Sequence, residues 1–329
     1  MNEQLVEQIT KLVMAELNEI ESASQSASVA LRSTSPKGRV EIEKRKKEPE
    51  GTVTLHSLTS SSSKPVQKQS KVRESFSPSV KAEESRQVEK KNAAVSDDIR
   101  AMKKTTPARI GVGRAGSRPK TDTWLQFRFD HAAAVDAVYG EVPDELIERL
   151  GFFQVTTRVK DKEEYILRPD LGRRLSDDSK EKVKRECKKN PTVQIISSNG
   201  LSAKAVEENL EDVYLSLQQA LKQLNLDVGT PFYIDKGRVA LMDEIGELLQ
   251  PDVVIYLIGE RPGLVSAESL SAYVCYQPRF GTIEADRMVV SNIHKGGIPA
   301  VEAGAYLGTL IKKILHYQAS GVNLVKKEA

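Results

Sequence analysis

The chain has 329 residues, enough for one large domain or two modest ones, and 49 Lys and Arg against 46 Asp and Glu give a formal net charge of +3. Residues 21–100 hold 16 basic and 11 acidic side chains, which leaves 33 basic and 35 acidic ones in the remainder. Because the basic excess belongs to one segment, the composition argues against a folded nucleic-acid-binding domain.

Membrane and secreted classes are also disfavoured. No apolar run approaches the roughly 20 residues that span a bilayer. Several Glu residues interrupt the N-terminus, which lacks the cationic and apolar regions of a secretory signal. Cys187 and Cys275 are far apart and form no CxxC pattern, which is typical of a reducing cytosol and argues against a zinc site. We therefore expect a soluble intracellular protein.

Residues 1–20 are predicted to form an amphipathic helix, because apolar residues recur at spacings of three and four. The apolar stripe consists of Leu5, Ile9, Leu12, Val13, Leu17 and Ile20. Glu16 lies within this stripe and argues against deep burial. A helix of about 20 residues is marginal alone in water, so the stripe needs a partner. Two alternatives are a helix docked on the protein's own core and a helix that binds a remote partner.

Residues 21–106 are predicted to be a disordered linker. Ser-rich stretches alternate with charged ones, and Phe76 is the only aromatic residue in the segment. Such a segment buries too little apolar surface to offset its chain entropy. A long tether of this kind lets a terminal helix bind something remote while the folded part stays free.

Residues 107–155 are predicted to form a small helical subdomain. Its first helix spans about 122–139 and includes Trp124, Leu125 and Val135. A second helix over 143–150 is predicted to end at Gly151, because glycine is typical of the C′ position. A polar, strand-like stretch follows at 153–158.

Residues 156–329 are predicted to form an α/β domain in which strands alternate with helices. The predicted strands are 193–196, 230–234, 253–258, 271–276 and 288–290, and the predicted helices are 202–224, 242–249 and 299–317. This alternation favours a Rossmann-like, largely parallel sheet with helices on both faces. Gly308 lies on the apolar face of the last helix and is predicted to let a neighbouring element approach closely.

Ligands of open α/β sheets bind beyond the carboxyl ends of the strands, where three loops of this chain qualify. The loops are 197–202, 259–264 and 291–297. In the second loop, Glu260 and Arg261 form a charged pair before a Pro-Gly turn, and a surface ion pair is the alternative interpretation. In the first loop, a tight turn with Ser202 as the helix N-cap accounts for the residues without a ligand.

The residues alone indicate no catalytic constellation. His294 has no second His or carboxylate pair at helical spacing, so a metal site is not predicted. Structural ion pairs are the default for the basic residues Arg114, Arg118, Arg168, Arg173 and Arg174. Without further information, the sequence predicts an α/β ligand-binding domain.

Several motifs in a fixed order nevertheless resemble one family, the small (light) subunit of ethanolamine ammonia-lyase. They are Gly-Arg-Ala-Gly at 113–116, Arg-Pro at 118–119, Arg-Pro-Asp-Leu-Gly-Arg-Arg-Leu at 168–175, Ser-Asn-Gly-Leu-Ser at 198–202, Val-Gly-Thr-Pro-Phe at 228–232, the 259–264 loop, Glu-Ser-Leu-Ser at 268–271, Glu-Ala-Asp-Arg at 284–287 and Ser-Asn-Ile-His at 291–294. Together they span nearly all of residues 107–329.

The resemblance implies a carbon–nitrogen lyase that depends on adenosylcobalamin and converts ethanolamine to acetaldehyde and ammonia by a radical mechanism. It implies that the large subunit's barrel holds the substrate, whereas the small subunit closes over the corrin from the other side. We therefore expect no catalytic residue in this chain. An Asp-x-His-x-x-Gly signature is absent from the sequence, which fits the base-on cobalamin binding of the family.

Carried over from the family, the expected cobalamin-contacting residues are Val239, Glu260 and Val289. Val239 would contact the cofactor through its main-chain N–H and C=O, and Glu260 would accept a hydrogen bond from a peripheral corrin amide. Val289 is a cysteine in some relatives, so its contact is expected to use backbone or packing.

The resemblance also implies a large-subunit partner and a bacterial cytoplasmic location inside a microcompartment. Residues 1–106 resemble the short helices and flexible linkers that bring such enzymes to shell proteins. No nucleic-acid or membrane partner is expected. Three alternative functions stay open: a free-standing α/β enzyme with Glu260 or His294 as acid or base, a small-ligand-binding protein, and a microcompartment scaffold protein.

Overall fold

The computed structural model of the chain describes residues 8, 11, 12, 14 and 15, and residues 96–106, 109–263 and 265–329. Residues 99–329 belong to one compact unit, which also includes the described N-terminal residues. A second unit comprises residues 28–98, of which only 96–98 are described. The predictions for the other residues of 1–20 and for the linker up to residue 95 therefore lie outside the described residues.

Strands and helices alternate between residues 193 and 259, and two further strands and two helices follow. The helices are α1 (Ser96–Thr105), α2 (Thr121–Tyr139), α3 (Asp144–Arg149), α4 (Lys162–Leu167), α5 (Asp177–Glu186), α6 (Ala203–Gln223), α7 (Leu241–Leu249), α8 (Ala300–Tyr317) and α9 (Gly321–Glu328). The strands are β1 (Arg114–Ala115), β2 (Arg118–Pro119), β3 (Phe153–Thr156), β4 (Val193–Ser198), β5 (Phe232–Asp235), β6 (Val253–Gly259), β7 (Leu270–Tyr276) and β8 (Arg287–Ile293).

Six strands form one sheet in the order β3-β5-β4-β6-β7-β8. The first four strands are parallel to their neighbours, whereas β7 and β8 pair antiparallel at one side. The predicted α/β class with a mostly parallel sheet is confirmed, and the sheet is mixed because of the β7–β8 pair. A Rossmann-like arrangement stays a prediction.

The two central strands, β4 and β6, are buried along their whole lengths. Their side chains alternate between two apolar layers, so that Ile195 packs in one layer and Ile196 in the other. The first layer contains α6 and α8, and the second contains α5 and α7. Burial on both faces explains why β6 is a continuous apolar run, whereas β4 also contains the buried polar residues Gln194, Ser197 and Ser198.

Close packing of α6 against α8 confirms the expectation for Gly308. A Cβ at Gly308 would lie 2.5 Å from the Cβ of Ala220, and a Cβ at Gly304 would lie 2.5 Å from the Val213 carbonyl oxygen. Glycine at these positions lets the two longest core helices meet along their backbones.

Two predicted boundaries are wrong. The linker was expected to extend to residue 106, but residues 96–105 form α1. The helical subdomain was expected to end at residue 155, but β3 crosses that boundary and pairs with β5 in the main sheet. The polar strand-like stretch thus belongs to the α/β sheet, because its Val155 side chain is buried in the second apolar layer.

The predicted helix over 122–139 exists as α2, and Gly151 has the expected positive φ of 70° after α3. Four helices were not predicted: α1, α4, α5 and α9. In α5 only Ser179 and Val183 are buried, so its charged sequence shows almost no apolar periodicity.

The described N-terminal residues are helical, and Met14 packs against Ala220 and Ala305 on α6 and α8. The Thr309 hydroxyl donates to the Met14 sulfur at 3.7 Å. Leu12, which belongs to the predicted apolar stripe, is 70% exposed. The helix therefore touches the folded unit with a side chain outside the stripe.

In the described part of the chain, no helix is both long and apolar enough to cross a membrane.

Candidate functional site

An open cleft of about 410 Å³ lies at the sheet edge where the parallel strands end. It is lined by the loops after β4 and β6, by the loop between β5 and α7, and by residues of β7 and β8. Antiparallel β7 begins at this edge and β8 ends there, since Leu270 pairs with both Gly259 and Ile293. The cleft is thus at the position that ligands occupy in open α/β sheets.

Two glycine-containing loops touch each other at the base of the cleft. Gly200 has a φ of 51°, and a Cβ on it would collide with the Gly259 carbonyl oxygen. The Leu201 N–H donates to the same oxygen at 3.1 Å. Side chains at these positions would push the two loops apart, so glycine keeps the β4 and β6 loops together.

The loop after β4 supports the loop that contains Val239. Asn199 Oδ1 accepts from the Lys236 N–H at 2.8 Å, and Ser198 Oγ accepts from the Gly237 N–H at 2.9 Å. Ser202 caps α6 by accepting from the Ala205 N–H at 3.0 Å. The tight-turn interpretation with Ser202 as N-cap is confirmed.

Tyr165 and Arg238 hold the Val239 loop from the other side. The Tyr165 hydroxyl donates to the Gly237 carbonyl oxygen at 2.8 Å, and Arg238 Nη2 donates to the Tyr165 carbonyl oxygen at 2.6 Å. The Arg238 guanidinium lies 4.0 Å from the centre of the Tyr165 ring. Burial raises the pKa of Tyr165, so its hydroxyl stays a hydrogen-bond donor at neutral pH.

Val239 lines the cleft, and only one of its two main-chain polar groups has a hydrogen-bond partner in the described chain. Its carbonyl oxygen accepts from the Met242 N–H at 3.1 Å. Its own N–H has no hydrogen-bond partner among the described residues. The N–H is therefore available to a ligand, and the carbonyl oxygen keeps one lone pair for a second bond.

Glu260 is fixed by one carboxylate oxygen. Its Oε1 accepts from the Ser271 hydroxyl at 2.6 Å and from the Asn292 N–H at 2.9 Å. Its Oε2 has no hydrogen-bond partner within the described chain. In the same part of the chain, Glu260 and Arg261 form no ion pair with each other. The carboxylate thus presents one free acceptor in a set orientation.

Val289 lies on β8 opposite Tyr273 of β7, and both residues line the cleft. The Val289 side chain is 51% exposed. Since its main chain belongs to the ladder with β7, its side chain offers an apolar contact surface. The structure therefore brings Val239, Glu260 and Val289 together in one cleft.

His294 does not line this cleft. Its Nδ1 accepts from the Gly296 N–H at 3.1 Å and its Nε2 lies 2.8 Å from Asn292 Oδ1, so both ring nitrogens serve the local turn. Arg168 pairs with Asp170 at 2.8 Å, as expected for a structural ion pair. Among the described residues, no group of His, Cys, Asp and Glu is arranged to hold a metal ion.

Tyr165, Arg238, Ser271 and Tyr273 were not predicted to have a role in the site. Arg238 is next to Val239 in the chain, and this was the one feature of the sequence that could have indicated its role in the site. Tyr165 is on α4, 73 residues away from Arg238, and only the fold brings the two together. Arg238 Nε is buried without a hydrogen-bond partner in the described structure, and it adds an unused donor beside the cleft.

These residues fit a large, amide-bearing ligand. Glu260 Oε2 and the Val239 N–H are a free acceptor and a free donor, whereas Val289 and Ile258 provide apolar surface. The volume of the cleft is within the range of ligand-binding pockets in proteins. The fold and the cleft together define an α/β protein with a candidate ligand-binding cleft at the carboxyl ends of its strands.

Comparison with known proteins identifies the family. The profile of the family described as Ethanolamine ammonia-lyase light chain (EutC) matches residues 96–325. The ethanolamine ammonia-lyase small subunit of Clostridium perfringens is 51% identical over 233 residues, or 71% of this chain and 79% of that protein. The small subunit of Fusobacterium nucleatum is 48% identical over 237 residues, or 72% and 80% of the two chains.

The chain belongs to the family of ethanolamine ammonia-lyase light chains. It is accordingly the small subunit of an ammonia-lyase, and membership implies a large-subunit partner and a cofactor-dependent enzyme. The match begins at residue 96, where α1 begins.

Proposed function

We propose that this chain holds one side of adenosylcobalamin in the cleft, while the large subunit holds ethanolamine on the other side. The enzyme then converts ethanolamine to acetaldehyde and ammonia. When bound, adenosylcobalamin supplies the radical chemistry of this reaction. The residues of this chain bind and orient the cofactor and exclude water, and none of them acts on the substrate.

The free Oε2 of Glu260 is the observation that carries this proposal. A corrin ring is fringed by carboxamides, whose N–H groups need acceptors when they leave water. Glu260 offers an acceptor that Ser271 and Asn292 have already oriented. Such a preset carboxylate orders few further groups on binding, which favours affinity.

Two other groups support the same ligand. The unpaired N–H of Val239 suits a carboxamide oxygen, and the half-exposed Val289 suits the apolar rim of the ring. Arg238 keeps the Val239 loop in position through its contacts with Tyr165. We assign Arg238 and Tyr165 as positioning residues.

Glu260→Gln tests the proposal in the complete two-subunit enzyme. The substitution keeps the size of the side chain but replaces one acceptor oxygen with an N–H₂ donor. We expect the half-saturating concentration of adenosylcobalamin to rise roughly 10- to 100-fold, because a hydrogen bond to a charged group contributes about 1.5–3 kcal/mol. Ammonia release, measured against cofactor concentration, gives this value and the maximal rate separately.

Glu302→Gln is the matched control, because Glu302 is exposed on α8 and lies outside the cleft. Val289→Cys should leave the half-saturating concentration unchanged, whereas Val289→Asp should raise it. An unchanged half-saturating concentration for Glu260→Gln would overturn the proposal. Activity of this chain without the large subunit would favour the free-standing enzyme instead.

We also propose that residues 1–20 bind a microcompartment shell protein and bring the enzyme inside a bacterial microcompartment. The amphipathic stripe supports this, together with the length of chain between that helix and α1. The Met14 contact with Ala220 and Ala305 supports docking on the folded unit. Binding to a shell protein and docking on the folded unit are compatible, since the exposed Leu12 belongs to the stripe and Met14 does not.

A further inference from the structure

Helix α2 presents an unusual amount of apolar surface to solvent. Within this 19-residue helix, all of whose residues are described, Ala137 is the only buried one. Five large apolar side chains are exposed, and we call them the α2 stripe. They are Trp124, Leu125, Phe129, Val135 and Tyr139, with exposures from 40% to 66%.

The α2 stripe forms one surface. At 100° per residue these five positions fall within an arc of about 140° around the helix axis, and Ala137 lies on the other side. Along the axis they extend over about 22 Å. A charged group also contributes to this face, because the Arg128 guanidinium lies 5.6 Å from the centre of the Trp124 ring. The composition matches that of protein interfaces, in which aromatic residues and Arg are enriched.

The exposed area of the α2 stripe is smaller than the area that one partner buries in a stable complex. Trp124, Phe129 and Tyr139 are each at least half exposed and together present on the order of 300 Å². A stable complex buries about 800 Å² on each partner, so the α2 stripe supplies a large share of one side. The largest exposed apolar patch of a monomeric protein is typically about 300–600 Å² and is often functional.

The position of α2 indicates which partner covers the stripe. At the end of α2, a Cβ on Gly140 would lie 3.7 Å from the Cβ of Ala203, the first residue of α6. Ala203 directly follows the loop that contains Gly200 and Leu201 of the cleft. The C-terminal end of α2, which includes Tyr139 of the stripe, therefore lies beside the start of α6 and next to the sheet edge that contains the cleft.

We propose that the α2 stripe is a surface with which this chain binds the large subunit of ethanolamine ammonia-lyase. A large subunit that shares a cofactor with this chain has to approach the same sheet edge, and α2 extends from that edge. The choice of the large subunit as the partner rests on the proposed function, because it assumes that the two subunits share the cofactor. A second copy of this chain is the competing occupant.

The test uses the co-expressed pair with the double variant Trp124→Ala/Phe129→Ala. Truncating two central aromatic residues of an interface typically weakens binding by about 100-fold or more. We expect at least that rise in the dissociation constant of the two subunits, measured by analytical ultracentrifugation without cobalamin. Phe280→Ala is the matched control, since Phe280 is also 50% exposed but follows β7 at the opposite sheet edge.

A photo-crosslinking residue, p-benzoylphenylalanine, in place of Phe129 gives an independent readout. We expect a crosslink to the large subunit from position 129 and none from position 280. An unchanged dissociation constant of the pair would overturn the proposal. A crosslink between two copies of this chain, with the pair intact, would overturn it in favour of a self-interface.

The two proposals fail in different ways. The α2 stripe variants should keep the wild-type half-saturating cobalamin concentration when enough large subunit is added to restore the pair. Glu260→Gln should keep the wild-type dissociation constant of the two subunits. If Glu260→Gln kept the wild-type half-saturating cobalamin concentration, the proposed function would fail. The test of the α2 stripe would still be valid, because the dissociation constant of the two subunits is measured without cofactor.

Discussion

Both cysteine side chains are buried, and their chemistry follows from that burial. Burial raises the pKa of the Cys187 thiol to about 12 and that of the Cys275 thiol to about 11. The Cys187 sulfur lies 3.8 Å from the Thr230 carbonyl oxygen, and the Cys275 sulfur lies 3.6 Å from the Asp286 carbonyl oxygen. The thiolate is the reactive form, so these two residues are held in an inert state.

We predict that neither thiol of the native protein reacts appreciably with Ellman's reagent at pH 8. With a pKa of 11 or higher, the thiolate fraction at pH 8 is about 100-fold or more below that of an exposed cysteine. The labelling rate of the native protein should rise with pH up to about pH 11. Both thiols should react at once in urea, and Cys187→Ser and Cys275→Ser assign the signals. Rapid labelling of the native chain at pH 8 would contradict this prediction.

At the level of elements, a buried ion pair joins the start of β8 to α7. Arg287 Nη2 donates to both carboxylate oxygens of Asp243 at 2.8 Å, and the two side chains are 2% and 9% exposed. Burial raises the pKa of Asp243, and the hydrogen bonds from Arg287 oppose that rise. Arg287 ends the Glu-Ala-Asp-Arg motif, so this motif has a structural role.

We predict that Arg287→Ala lowers the free energy of unfolding by about 3–5 kcal/mol, because it leaves a buried carboxylate without its partner. Urea denaturation followed by circular dichroism measures this change. Lys188→Ala is the control: it breaks an exposed pair with Asp227 and should hardly change stability. The double variant Arg287→Met/Asp243→Leu should recover most of the loss. Equal stability of Arg287→Ala and Lys188→Ala would refute the structural role.

At the level of the whole molecule, an exposed apolar surface lies outside the two apolar layers of the α/β unit. The five side chains of the α2 stripe belong to neither layer. Met14, by contrast, is buried against Ala220 and Ala305 of α6 and α8. The α2 stripe is therefore free to serve assembly without a loss of core stability.

We predict that deletion of residues 1–20 abolishes co-localisation of the enzyme with microcompartment shells. Ammonia release by the purified pair should stay unchanged, because the described residues that line the cleft all lie between Tyr165 and Ser291. Deletion of residues 51–70 removes an equal length of chain and serves as the control. Unchanged co-localisation after the first deletion would show that the helix only docks on the folded unit.

Local sequence patterns were sufficient for many elements. β4, β6, α6 and α8 were predicted within a few residues of their bounds, because the helices have a clear apolar period and the strands are short, mainly apolar segments. α5 was missed because its charged residues show no such period, and α1 was missed because its sequence resembles a linker. The direction of β7 was not predictable, since the pattern of a buried strand is the same in both directions.

For the site, the sequence alone determined little beyond the three candidate loops, and the family resemblance supplied Val239, Glu260 and Val289. The tertiary structure decided that these three residues share one cleft, and that Tyr165 and Ser271 support it. Periodicity and capping act over a few residues, so the sequence by itself determines elements and their faces. Contacts such as Tyr165 with Gly237 join residues 72 positions apart. They exist only because packing of the sheet and its two apolar layers brings those elements together.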